Sequence, residues 1–424
     1  MKYYLFLTTL IRNIGGGHIY TANKMKSLKS LGYEVDYFHA DVKHGKLFVQ
    51  DFIPFKNNCD SRLQFPAYYW DSETQKEVIN LICESIPSKC SEIIIESQTL
   101  NCATWGELVA EHLNAKHIIY CLSEDPRIPN NDMFEFLNFK LDRGELAGIT
   151  QNSLLYMFNG WRKIGRDESC YLTAHGASGI HVLDEIPYKK IDSIPQNDFI
   201  IGSIGRIDKL FLKESLNSII RFAKKNKNKT FTVLLIGGAS NNKSRIEIED
   251  KLKNIDNVDL HISGLIFPIP IELVKLADVY FSSSGACRIS QELGIPTIAI
   301  DGKDFKPIGV LGETTENTLH RDDEPIISFT NLLEDILIKD RFSENGNSRI
   351  GNRKPIVDYS DHLDFIEKSA NSSEYFDISE ATLSMNERLK KIILTIFGIE
   401  LTAKIINKLI SPIWMKLKRY DLVS

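Results

Sequence analysis

Residues 276–301 read LADVYFSSSGACRISQELGIPTIAID. The apolar run Val279–Ser282 predicts a strand, the small residues after it a tight turn, and Gly285-Ala286 the start of a helix. Gly294 stops that helix and Pro296 leads into a second strand, Thr297–Ile300. Strand, turn, helix and strand in succession belong to a parallel sheet covered by helices. Amides left unbonded at a helix start, at the positive end of its dipole, suit a phosphate or a sugar hydroxyl. That singles out Ser284, Gly285 and Ala286, with Arg288 one turn on as a phosphate partner. Glu292, two turns on, is placed to accept hydrogen bonds from ribose hydroxyls. The plainer readings are an arginine paired on the surface and a glutamate solvating its own helix.

The alternation continues outward. Phe199–Ile204, Phe231–Ile236 and Val258–Ile262 read as strands, and Leu212–Lys224, Lys243–Asn254 and Ile271–Leu276 as helices. The first half repeats the pattern. A strand over Tyr3–Ile11 is followed by the loop Gly15-Gly16-Gly17-His18, then by helical spacing from Tyr20 to Leu31. Further strands are expected at Tyr33–Phe38, Glu92–Glu96 and His117–Cys121, with a helix over Trp105–Leu113. The polar stretch 186–197, with Pro187 and Pro195, suits a linker. The expected fold class is therefore α/β: two Rossmann-like doubly wound domains, residues 1–187 and 198–340, facing each other across a ligand-holding cleft. Residues 341–384 read as a polar connection and 385–424 as a basic amphipathic helical tail.

Composition narrows the function classes. The 424 residues are 43% hydrophobic and 25% charged, as in a globular chain, and the net charge of −5 gives no field for nucleic acid. Asp322-Asp323, in a polar run, reads as solvated and not as a metal site. Seven cysteines with no C-x-x-C pair predict a reduced, cytoplasmic protein without a disulfide framework. No signal peptide or membrane span is expected. The tail is the exception in charge: residues 385–420 hold eight basic residues against two acidic ones. Leu389, Ile392, Ile393, Ile396, Ile399, Ala403, Ile406, Ile410, Ile413 and Leu417 form one apolar stripe, with Trp414 and Tyr420 near the end. Two readings stand: a helix lying on an anionic membrane surface, or one packed back on the first domain with its basic face solvated.

Four stretches together resemble the GT-B glycosyltransferases, in particular the retaining family 4 type (glycosyl transferases group 1). Ala277-Asp278-Val279 with Glu292-Leu293-Gly294-Ile295-Pro296-Thr297-Ile298-Ala299 resembles that family's nucleotide-sugar stretch. Gly202-Ser203-Ile204-Gly205-Arg206-Ile207-Asp208-Lys209 resembles the strand and turn whose arginine and lysine hold the diphosphate. Ala174-His175-Gly176-Ala177-Ser178 resembles the turn before the interdomain linker, and the loop Gly15 to His18 with LKSLGYEV (28–35) resembles the N-terminal glycine loop. The match runs over roughly residues 5–300.

The resemblance implies transfer of a sugar from a UDP- or GDP-sugar to a carbohydrate or lipid-linked acceptor, with retention; the basic tail, if directed to a membrane, would place the protein at the cytoplasmic face where envelope polysaccharides are assembled. It implies no metal and no cofactor, the nucleotide sugar being the substrate. Arg206 with Lys209 or Lys213 would hold the diphosphate, and Gly15, Gly16 and Gly17 would lie near the donor. Where the family has an N-domain histidine, Ser123-Glu124-Asp125 follows the strand, making Glu124 and Asp125 catalytic candidates together with His18. The chain departs from the pattern at Ser284, in place of the first of two glutamates, and at Phe211, in place of a lysine. A nucleotide-sugar 2-epimerase of the same fold and an inactive sugar-nucleotide-binding scaffold are the alternative readings.

Overall fold

The continuous apolar runs become strands buried on both faces, as a parallel sheet requires. The computed structural model describes residues 1–9, 11, 14–41, 47–122, 133–158, 162, 164–165, 170–174, 182–239, 242–342, 357–369, 374–381 and 383–406. The chain divides into two units. Unit 1 comprises residues 1–175 and 357–424, and unit 2 residues 176–356.

Unit 1 holds strands β1 (Lys2–Thr8), β2 (Tyr33–His39), β3 (Glu92–Ser97), β4 (Lys116–Cys121) and β5 (Leu146–Gly148), all parallel, in the order β2-β1-β3-β4-β5. Helices α1 (Gly16–Ser30), α2 (Ser72–Glu84), α3 (Leu100–Leu113), α4 (Phe134–Asp142) and α5 (Gln151–Phe158) lie between the strands in sequence. Tyr3 to Leu7 of the interior strand β1 are all buried, whereas the edge strand β2 exposes Glu34. In this 2-1-3-4-5 order the strand sequence reverses between β1 and β3, so ligands are expected at the carboxyl ends of those strands.

Unit 2 begins with the short β6 (Leu183–Asp184) and continues with β7 (Phe199–Ile204), α6 (Leu210–Lys225), β8 (Phe231–Ile236), α7 (Asn242–Leu252) and β9 (Val258–Ile262). After β10 (Ile269–Pro270) and α8 (Ile271–Val274) come β11 (Val279–Ser282), α9 (Ala286–Gln291), β12 (Thr297–Ile300), β13 (Pro307–Val310) and α10 (Phe329–Leu333). The six-stranded order is β13-β12-β11-β7-β8-β9, with β13 antiparallel at the edge. This is the 3-2-1-4-5-6 dinucleotide-fold order, with its reversal between β7 and β11. Phe211, Phe222, Val233, Leu235, Phe281 and Leu333 belong to its core.

The C-terminal segment differs from the sequence expectation. The stretch read as a polar connection contains α11 (Ser360–Lys368), whose His362, Phe365 and Ile366 are buried at helical spacing in unit 1. The tail forms α12 (Met385–Ile405), capped by the Ser384 side chain on the Glu387 amide. The expected unbroken stripe is interrupted at Gly398, which takes φ 69° and ψ 176°. That conformation belongs to glycine, and it bends the chain so that Thr402 Oγ1 donates to the Ile393 carbonyl at 3.2 Å. The stripe positions from Ile410 onward lie outside the described residues. The helix packs back on unit 1: Tyr69 donates to Glu387, and Lys391 Nζ to the Tyr68 carbonyl at 2.9 Å. Its outward side carries the apolar Met385, Leu389, Ile392 and Ile396 beside exposed Arg388, with Lys404 exposed after the bend. No helix among the described residues is long and apolar enough to cross a membrane.

Candidate functional site

In unit 2 the β7–β11 ladder covers only Val279↔Ile201 and Tyr280↔Gly202. Beyond it, Ser282 Oγ donates to the Ile204 carbonyl at 2.9 Å. The loops after β7 and β8 then meet backbone to backbone. Gly205 has φ 130° and Gly237 φ 154°, and a Cβ on Gly237 would lie 1.8 Å from the Gly205 carbonyl oxygen. The Gly205 amide donates to Ile236 O (3.0 Å) and the Ile207 amide to Gly238 O (3.1 Å). This pairing sets the position of Arg206, whose exposed guanidinium has Nε 3.4 Å from Asp208 Oδ1.

Lys209 occupies the position before α6, with its ammonium 5.7 Å from the Phe211 ring centroid. Neither α6 nor α9 has a side-chain cap or an acidic residue in its first turn. Burial pushes the Cys287 thiol up to about 12, against the opposing pull of the Lys209 and Arg288 charges. Arg288 is the third residue of α9, and Ser284, Gly285 and Ala286 stand at the start of that helix. Ser284 has φ 65°, and its amide donates to the Thr318 carbonyl at 2.6 Å. Glu292, half-buried, follows α9 and its amide bonds Arg288 O at 2.9 Å.

Lys213 is placed elsewhere. Its carbonyl accepts from Lys251 Nζ at 3.1 Å, and its charge adds to the burial that lowers the Lys251 ammonium. It belongs to the surface between α6 and α7. Phe211, where the family has a lysine, is 6% exposed and fills the core under α6.

In unit 1 the loop after β1 runs into α1 with Gly15 extended and no side-chain cap or acidic residue in the first turn. The His18 and Ile19 amides donate to the Gly15 carbonyl at 3.0 and 3.2 Å. A Cβ on Gly15 would lie 4.0 Å from His18 Nδ1, so the half-buried imidazole leans over the glycine loop. Thr21 Oγ1 donates to Gly17 O at 2.9 Å and accepts from Gln98 Nε2 at 2.7 Å. Gln98 in turn reaches Glu96 Oε1 at 3.2 Å.

Glu96 is fully buried and takes hydrogen bonds from Lys24 (2.6 Å), Tyr4 (2.7 Å) and Tyr20 (3.0 Å). Burial lowers the Lys24 ammonium and the Glu96 carboxylate raises it again in part. Lys24 Nζ lies 3.1 Å from His362 Nδ1, and His362 Nε2 lies 2.8 Å from Thr173 O. With Lys24 donating, Nδ1 accepts and Nε2 carries the proton. This buried network fixes the start of α1 to β3 and α11. Glu124 and Asp125, like the His175 to Ser178 turn, lie outside the described residues.

No family profile matches this sequence, and no curated protein does. Solved structures do match. A glycosyltransferase from Rickettsia africae ESF-5 is similar over 87% of this chain and 95% of its own, at 15% identity and a TM-score of 0.56. A UDP-GlcNAc 2-epimerase from Neisseria meningitidis bound to UDP-GlcNAc covers 87% and 99%, at 16% identity and 0.46. The MnaA–UDP structure from S. aureus covers 94% and 98%, at 13% identity and 0.47. The fold is GT-B.

Two features of this GT-B chain escape a reading by motif. The first is the loop after β12. Asp301 accepts from the amides of Lys303 (2.6 Å), Asp304 (3.1 Å) and Arg321 (2.7 Å), folding residues 302–321 beside Ser284. Both His320 ring nitrogens in that loop are buried without a hydrogen-bond partner among the described residues. The polar run HRDDEP gave only a solvated loop, because the Asp301 bonds that order it come from 20 residues away. The second is a sealed relay: Ser97 Oγ lies 2.9 Å from His117 Nε2, and His117 Nδ1 lies 2.6 Å from Glu107. All three side chains are buried, and Phe376 N and Lys140 Nζ also bond Glu107 at 2.8 and 2.7 Å. The relay joins α3, β4, α4 and the C-terminal segment; being closed to solvent, it belongs to the framework.

Proposed function

We propose that this protein is a glycosyltransferase moving a sugar from a UDP- or GDP-sugar to a carbohydrate or lipid-linked acceptor, with retention, in cell-envelope polysaccharide assembly. The observation that carries the reading is the backbone meeting of the loops after β7 and β8, Gly237 against Gly205, which sets Arg206 at the carboxyl end of β7, where the strand order of unit 2 reverses. Lys209, before α6, and Arg288, in α9, follow the neighbouring strands β7 and β11. The R. africae glycosyltransferase of similar fold supports it. Departure of a nucleoside diphosphate needs cations and oriented amides aimed at the oxygens that gain charge. Arg206, Lys209, Arg288 and the uncapped starts of α6 and α9 supply both. Glu292 would hold the ribose, and unit 1, with His18 and the Glu124-Asp125 stretch, would receive the acceptor.

An assay with labelled UDP- and GDP-sugars and glycan or polyprenyl acceptors tests this. One such donor is worth about 2.7–4 kcal/mol of barrier, so Arg206→Ala should lower kcat/KM at least about tenfold with an unchanged unfolding temperature. Wild-type turnover in that variant would remove Arg206 from the mechanism. Ser284, a hydroxyl where a transferase of this type carries a carboxylate, favours a second reading in which the site serves binding or 2-epimerisation. An epimerase would change the sugar with no acceptor present; a scaffold would bind the nucleotide sugar and turn nothing over.

A further inference from the structure

We infer that the outward face of α12 is a docking surface for an anionic lipid bilayer. Met385, Leu389, Ile392 and Ile396 recur at spacings of four, three and four residues and so share one side of the helix. They are 88%, 52%, 54% and 65% exposed. Glu387 and Leu394, on the opposite side, are buried against unit 1, so the helix is held in place with its apolar side outward. After the Gly398 bend, Leu401 is again 45% exposed. Exposed isoleucines and leucines in a row on a seated helix mark an interaction surface.

Charge selects the occupant. Exposed Arg388 adjoins the stripe, and residues 385–420 hold eight basic residues against two acidic ones in a chain of net charge −5. Two copies of this stretch, each with that excess of positive charge, repel, whereas anionic headgroups neutralise it. The helix is not long and apolar enough to span a bilayer, so it lies in the interface with its apolar side in the acyl boundary.

The test is flotation of the full-length protein with vesicles of about equal parts phosphatidylglycerol and phosphatidylcholine, beside vesicles of phosphatidylcholine alone. The expected result is binding to the anionic vesicles, roughly tenfold weaker to the neutral ones and weakened by salt. Ile392→Glu with Ile396→Glu should abolish flotation while leaving the thermal unfolding midpoint unchanged. Met385→Asp, at the most exposed position, serves as the independent variant and should also reduce binding. Failure to float, or equal flotation of wild type and variants, overturns the inference. So does a dimer in sedimentation that Ile392→Glu with Ile396→Glu dissociates while wild type leaves lipid unbound.

Discussion

Lys24 and Glu96 are fully buried partners 2.6 Å apart, and each is tolerable in the core only because of the other. Glu96→Gln leaves the ammonium without its anion beside Tyr4, Tyr20 and His362. The expected loss is about 3–5 kcal/mol in urea denaturation, and a loss under about 1 kcal/mol would contradict this role. The Glu107–His117 pair makes stability depend on pH. Burial, aided by the Lys140 charge, lowers the His117 imidazole to about 4. Burial would raise Glu107, but the hydrogen bond from His117 and the Lys140 charge overcome it and hold the carboxyl at about 2. Between pH 6.5 and 4 the unfolded chain takes up a proton at His117 that the folded chain refuses, so stability falls as pH falls. The Glu107 contribution is present above the ordinary carboxylate range and is lost as pH falls toward about 2. The His117 share between pH 7 and 5 is on the order of 2 kcal/mol, and His117→Gln should flatten that slope in urea titrations. An unchanged slope would place the acid sensitivity elsewhere.

At the scale of elements, the phosphate-side loops of unit 2 depend on one close approach. Gly237→Ala puts a methyl where the Gly205 carbonyl stands, at a φ of 154° that alanine disfavours. It should destabilise the protein by at least about 2 kcal/mol and weaken nucleotide binding through the displaced Arg206 loop. Normal binding and an unchanged melting midpoint would contradict that coupling. The strands of both units were legible because parallel strands buried on both faces are unbroken apolar runs, as in Phe231–Ile236. β5 was not, since Leu146-Ala147-Gly148 is too short to carry a period. α11 was hidden because its buried face includes His362, a polar residue whose partners Lys24 and Thr173 lie 338 and 189 positions away. The Gly398 break was missed because a glycine inside a periodic stretch does not announce its φ. Of the two candidate lysines, sequence left the choice between Lys209 and Lys213 open. In the structure Lys209 stands before α6 and Lys213 within it beside Lys251 of α7.

Across the whole molecule, two doubly wound units with separate cores each place a glycine loop and an uncapped helix at the reversal of strand order. The chain ends by returning to unit 1, where α11 covers the Lys24–Glu96 pair and α12 turns an apolar side outward. Fold class was therefore readable from spacing, while the polar networks that hold the strand-end loops in place were not. They join residues remote in sequence. The central claim is that unit 2 binds a nucleotide sugar, and thermal unfolding against UDP-, GDP-, CMP- and dTDP-sugars tests it most directly. Ligand at 100 times its Kd adds about 2.7 kcal/mol of stability. The account predicts a raised midpoint with a UDP- or GDP-sugar that is lost in Arg206→Ala and in Glu292→Ala. No shift with any of the four, or a shift that both variants keep, would contradict it.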